Sequence, residues 1–155
     1  MTVTIEEMTD EDYDEVFALW RASEGIGLSE ADSAEGIAGY LVRNPGLSFV
    51  ARDGETLVGA VLCGHDGRRG YLHHLAVSPA SRGRGIGRAL VAECLARLRQ
   101  QGIQRCHLFV FRENRDALAF WQRIGWRTRA DLTMMSRDTT LDDRQAVRDV
   151  REDTG

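Results

Sequence analysis

Ser78-Pro79-Ala80-Ser81-Arg82-Gly83-Arg84-Gly85-Ile86-Gly87-Arg88 decides how the rest of this 155-residue sequence is read. Residues 71–77 before it are apolar and end on a β-branched valine, which predicts a strand. Pro79 lacks an N–H and fixes its own φ, so the ladder stops there. From Ile86 the apolar residues fall at helical spacing through Leu90, Cys94 and Leu98, flanked by Val91 and Leu95. A strand therefore enters a glycine-rich turn, and the turn opens a helix.

That order of elements makes an anion site. The first amides of a helix have no intrahelical partner, and the macrodipole concentrates positive charge there. Glycine leaves the backbone open to close approach. Arg82, Arg84 and Arg88 add fork-shaped donors suited to phosphate oxygens. A helix terminus gives only about 0.3–1 kcal/mol per exposed anionic charge, so the arginines matter as much as the turn. Two familiar phosphate motifs do not fit. A P-loop requires a lysine after its glycines, and none is present; the missing lysine and magnesium-binding hydroxyl also disfavour a nucleotide hydrolase. The dinucleotide fingerprint requires a third glycine where Arg88 stands, early in a βαβ unit, whereas this motif lies past the middle of the chain.

A chain of this length suggests one domain with a usable core. It is 43% apolar, and no run approaches membrane-spanning length. The start, Met1-Thr2-Val3-Thr4-Ile5-Glu6, does not read as a secretory signal. Cys63, Cys94 and Cys106 each sit in an apolar pattern without metal-ligand spacing, so reduced, buried cysteines in a cytoplasmic protein are expected. A net charge of −4 does not favour a nucleic-acid surface.

In chain order, residues 3–6 read as a short strand. Thr9 can cap a helix with an acidic first turn and with Val16, Phe17, Leu19 and Trp20 on its apolar side. Residues 23–32 form an acidic loop, and a second helix runs over 33–42 until Asn44-Pro45-Gly46 stops it. Residues 48–52 and 56–64 are strands joined at Asp53-Gly54, and with 71–77 they predict an antiparallel meander. The long helix ends near Gln101-Gly102. A strand over 106–111, a helix over 115–124 behind Asn114, and a final strand over 126–135, broken near Ala130-Asp131, complete the pattern. The last residues are rich in Asp and Arg and read as a solvated tail, in which Leu141, Val147 and Val150 are spaced for a short helix.

These residues resemble the GNAT superfamily of N-acetyltransferases, from about Val3 to Ser136. The resemblance is carried by Leu75-Ala76-Val77-x-Pro79, by Arg82-Gly83-Arg84-Gly85-Ile86-Gly87, and by Asn114 with Ala117 and Phe120-Trp121-Gln122-Arg123-Ile124-Gly125-Trp126. The chain looks most like small bacterial members. The resemblance implies an α+β, three-layer fold, with a mixed, mostly antiparallel sheet of six to seven strands and about four helices on its faces. It implies an acetyltransferase domain over 1–137 and a charged tail over 138–155. Acetyl-CoA is the implied cosubstrate, with no metal. Leu75, Ala76 and Val77 would meet its pantetheine as an added strand does, and Arg82 to Arg88 would hold its diphosphate. The strands carrying Val77 and Phe109 would splay apart, with the thioester in the gap. Asn114, Ala117 and Phe120 would complete the cofactor wall, although Asn114 reads equally as a helix N-cap. A homodimer through the last strands is a further family trait.

The chemistry sets its own demands. An amine attacks the thioester directly, and freeing the lone pair of an alkylamine of pKa about 10.4 costs roughly 4 kcal/mol at neutral pH. A base is therefore useful. Tyr71, His73 and His74 are the candidates, with His73 preferred and His74 second. Simple alternation puts Tyr71, His73, Leu75 and Val77 on one face and Leu72, His74 and Ala76 on the other. His73 is similar in placement to a histidine of arylalkylamine N-acetyltransferases, although a hydrogen-bonded structural histidine is the plainer reading. His65 and His107 are weaker candidates. Many family members carry a tyrosine that protonates the departing sulfur where this chain has Trp121. An indole has one N–H and no acid function, but a thiol of pKa about 8.5 leaves readily without help. Trp121 and, more so, Phe120 also read as core aromatics.

The acceptor is constrained only to a small-molecule or peptide amine. Glu24, Glu30, Asp32 and Glu35 lie where the family's acceptor lid falls, which hints at a cationic amine. A non-catalytic acyl-CoA sensor is the rival reading, because Trp121 replaces the tyrosine.

Overall fold

The computed structural model describes residues 2–140. The tail from 141 on, with the spacing of Leu141, Val147 and Val150, lies outside the described residues. Two compact units divide at Phe120/Trp121.

The larger unit is built on one sheet in the order β1 (Val3–Glu7), β2 (Phe49–Asp53), β3 (Thr56–His65), β4 (Gly70–Val77) and β5 (Cys106–Leu108). The first four strands are antiparallel neighbours, so the predicted meander is present with β1 added at its edge. β4 and β5 are parallel. α1 (Tyr13–Arg21) follows a 3-10 turn over Asp10–Asp12, closed by a capping box between Thr9 and Asp12. α2 (Ala34–Arg43) is capped by Ser33, whose hydroxyl accepts from the Gly36 N–H at 3.0 Å. α3 (Ile86–Gln100) crosses the other face of the sheet, and α4 (Arg115–Arg123) follows β5.

The apolar stripe read from the sequence is the one α3 buries: Ile86, Leu90, Val91, Cys94 and Leu98. On the opposite face Val16, Trp20 and Ile37 close over Val50, Ala60, Leu62 and Ala76. Cys63 and Cys94 are fully buried and Cys106 is half-buried; all three are free thiols.

Two predictions are corrected. Among the described residues the sheet has five strands rather than six to seven. The strand expected over 126–135 does not form, and the one expected over 106–111 ends at Leu108. A ladder needs a partner. The β4–β5 ladder stops at Leu72/Leu108, and among the described residues no strand lies beside residues 109–111. The second correction is to the alternation along β4. Ala60 faces Ala76 and Leu62 faces His73, so two residues of β4 oppose one of β3. His74 has φ +55°, a left-handed backbone rare outside glycine. This bulge resets the period. Ala60 and Leu62 share one face, so His73 and Ala76 share it too, while Val77 turns with Gly59 towards α3.

The smaller unit is described up to Thr140. Trp121 and Trp126 pack edge to face at 5.1 Å, and the Trp126 N–H donates to the Trp121 carbonyl at 2.9 Å. Trp121 is 9% exposed and Phe120 is only half-buried, the reverse of the order expected for core aromatics.

Candidate active site

β4 continues for five residues beyond its last pair with β5, from His73 to Val77. Its β3 side is paired and its other side carries no strand among the described residues. An extended ligand added there would run about 13 Å, four residues of strand rise. At the end of this free edge the chain makes a 3-10 turn over Pro79–Ser81 and enters the glycine turn.

Gly83 and Gly85 have φ +78° and +77°, which only glycine adopts cheaply, and a Cβ on either would stand in open space. Gly85 is the N-cap of α3 and supplies no side-chain acceptor. α2, by contrast, is capped by a serine. The first amides of a 15-residue helix are thus left uncapped by any side chain. Around them Arg82 donates from Nε to the Val77 carbonyl at 3.3 Å, Arg84 pairs with Asp53 at 3.1 Å, and Arg88 makes no ion pair among the described residues. A Cβ on Gly87 would lie 3.3 Å from the Phe120 ring and 3.6 Å from Val77 Cγ2. The first turn of α3, the end of β4 and Phe120 therefore meet. A hollow of about 340 Å³ beside the turn is lined by Val3, Ile5, Arg84, Gly85, Ile86 and Ala89.

The two histidines differ. Asp32 Oδ1 and His74 Nε2 are 2.9 Å apart, and Asp32 Oδ2 accepts the Ser29 N–H at 3.0 Å. The Trp20 indole donates to the His74 carbonyl at 2.9 Å and holds the bulge. His74 is thereby fixed between α1 and the loop before α2. His73 makes no hydrogen bond among the described residues. Its ring stacks on Tyr71 and meets Tyr40 edge-on at 6.3 Å. Burial holds its pKa below the usual 6.5, His74 pushes it the same way, and Asp32 opposes. His73 is therefore neutral at physiological pH, the state a proton acceptor needs. Tyr71 faces the same side as His73, while His65 is spent on Gln101 at 2.8 Å and on the Gly67 N–H at 2.9 Å.

Asp32 leaves the acidic set proposed for a cationic acceptor, because it is 6% exposed and both its oxygens are occupied. Glu24, Glu30 and Glu35 remain exposed. The N-cap reading of Asn114 is realised: its Oδ1 accepts the Ala117 N–H at 3.1 Å. Its amide nitrogen also lies against Gly25, and the Phe111 ring lies against Gly27. The acidic loop thus rests on the segment between β5 and α4, a contact that no local sequence signal announces. Among the described residues no group of His, Cys, Asp and Glu is arranged to hold a metal.

A sheet that opens beside an uncapped helix start defines a class of fold. The family described as "Acetyltransferase (GNAT) family" matches residues 10–126. An acetyltransferase of Pectobacterium atrosepticum is 30% identical over 87% of this chain and 94% of its own. An uncharacterized N-acetyltransferase of Yersinia pestis is 29% identical over 85% of this chain and 92% of its own. The PaiA N-acetyltransferase of Thermoplasma acidophilum, solved with coenzyme A, superposes with a TM-score of 0.73 at 23% identity, covering 83% of this chain and 92% of its own. The chain belongs to the GNAT family of acetyltransferases, and it is an enzyme of that class.

Proposed function

We propose that the protein moves an acetyl group from acetyl-CoA to a primary amine by direct attack, with His73 or a water it orders as the base. The observation that carries this reading is the free edge of β4 leading straight into the uncapped start of α3. The residues there fit the cofactor. Backbone groups of Leu75, Ala76 and Val77 would take the pantetheine as an added strand. The amides from Gly83 to Arg88, with Arg82, Arg84 and Arg88, would take the diphosphate. Asn114, Ala117 and Phe120 close that end. When bound, acetyl-CoA supplies a thioester whose carbonyl carbon accepts the nucleophile and whose thiolate departs.

The chain's own residues do the rest. His73 is kept neutral, so it can take a proton from the acceptor nitrogen. His74 and Asp32 position β4 rather than carry that proton, because His74 Nε2 and Asp32 Oδ1 are held to each other at 2.9 Å. Trp121 is given no proton-transfer role, since an indole offers only a donor. The cytoplasm is the proposed location, on the support of three free cysteines. A homodimer is the proposed assembly, supported by exposed Leu132, Met134 and Met135 in the smaller unit; sedimentation at micromolar concentration tests it.

Thiol release from acetyl-CoA across a panel of primary amines tests the activity. Release is expected, and His73→Gln should lower kcat/KM by about 10²-fold. Binding of acetyl-CoA with no release for any amine would reject the enzymatic reading in favour of a sensor.

A further inference from the structure

The sheet face turned towards α1 and α2 carries a row of rings at its open end. Tyr71 and His73 stand on β4, and the parallel register sets His107 beside Tyr71. Phe109 follows at the point where the two strands part. Tyr71 and His73 lie 6.5 Å apart with planes 10° from parallel, and Tyr71 and Phe109 lie 6.3 Å apart at 16°. Phe109, Tyr71 and His73 therefore form one nearly parallel series that ends at the proposed base.

The outer part of the series is bare. Phe109 is 58% exposed, and Phe111, two residues on, is 59% exposed. Large apolar rings left open beside a functional cleft offer a ligand an apolar surface to pack on. The loop over 23–32 borders them: Gly27 lies against the Phe111 ring, and Glu24 and Glu30 sit exposed on that loop.

We propose that Phe109, Tyr71 and Phe111 form the acceptor subsite, and that the acceptor is a primary amine carried on an aromatic or similarly flat apolar skeleton. This rests on the acetyl-transfer reading above. Offset ring packing over Tyr71, at the edge of Phe109, would leave the amine directed along the row to His73. The ring faces and the carboxylates of Glu24 and Glu30 attract the ammonium form on arrival. The ammonium first gives up one proton to solvent, the freed lone pair forms the N–C bond to the acetyl carbon, and the nitrogen's second proton passes to His73. The C–S bond breaks with its electron pair on sulfur, and the proton passes from His73 through water to the thiolate or to solvent. A polyhydroxylated amine gains nothing from this surface, because hydroxyls set against phenylalanine rings lose their water without a partner.

The test is thiol release by the full chain with acetyl-CoA and three acceptors: 2-phenylethylamine, n-propylamine and kanamycin. The expected kcat/KM for 2-phenylethylamine exceeds that for each of the others by about tenfold or more. Phe109→Ala should shrink the ratio of phenylethylamine to propylamine by about tenfold, chiefly through KM, and Phe111→Ala should shrink it in the same direction. Both side chains are exposed, so both variants keep the fold, which circular dichroism verifies. Release with propylamine at an equal kcat/KM, or a ratio unmoved by either substitution, overturns the aromatic subsite and leaves acetyl transfer standing. No release with any amine overturns both.

Discussion

Two adjacent residues, His73 and His74, show how one backbone angle separates two roles. His74 takes φ +55° and is gripped by Asp32 and Trp20, while His73 keeps a free, half-buried imidazole. The pKa of His73 is lowered, so the neutral base is already dominant at pH 6.5. The acid limb in the rate per unit of free amine should therefore have its midpoint below pH 6.5. A pH profile of kcat/KM, corrected for acceptor ionisation, checks this; His73→Gln should erase the acid limb. Asp32→Asn puts an amide where two hydrogen bonds meet a buried carboxylate, and a loss of about 1–3 kcal/mol is expected in urea denaturation.

At the scale of elements, the glycine turn and α3 were legible from residues 78–102 alone. Pro79 stops a strand, Gly83 and Gly85 take left-handed angles, and the apolar period of α3 is complete. The bulge was not legible. Such a kink is usually betrayed by a glycine, and here a histidine adopts the angle because Trp20, 54 residues away, holds its carbonyl. The last strand was misread for a related reason: alternation announces a strand's faces but not whether an edge exists to receive it. The acidic loop failed similarly, since Asp32 finds its partner 42 residues on. Gly85→Ala would force a Cβ into φ +77° and should cost about 1–2 kcal/mol. It should also weaken acetyl-CoA binding in calorimetry, because the new methyl group stands on the open side of the cradle.

Across the whole molecule, the same histidine shapes stability against pH. Folded His73 titrates below 6.5 and unfolded His73 near 6.5, so between those values the unfolded chain binds more protons. Its contribution is complete above about pH 6.5 and is lost as pH falls through that window. Melting temperatures from pH 5 to 8 should show this decline, and His73→Gln should flatten part of it. Core packing is less forgiving. A Cβ on Gly64 would lie 2.5 Å from the Tyr40 hydroxyl and 2.7 Å from Asn44, so Gly64→Ala should destabilise by about 1–3 kcal/mol in the same denaturation experiment.

The three cysteines bear on how turnover is best observed. Cys63 and Cys94 are shut off from solvent, burial pushes the Cys106 thiol up to about 12, and the Cys63 contact pushes Cys94 higher still. A chromogenic aromatic disulfide reacts with thiolates it can reach. The folded enzyme therefore contributes almost no colour of its own, and coenzyme A can be followed continuously against a quiet baseline.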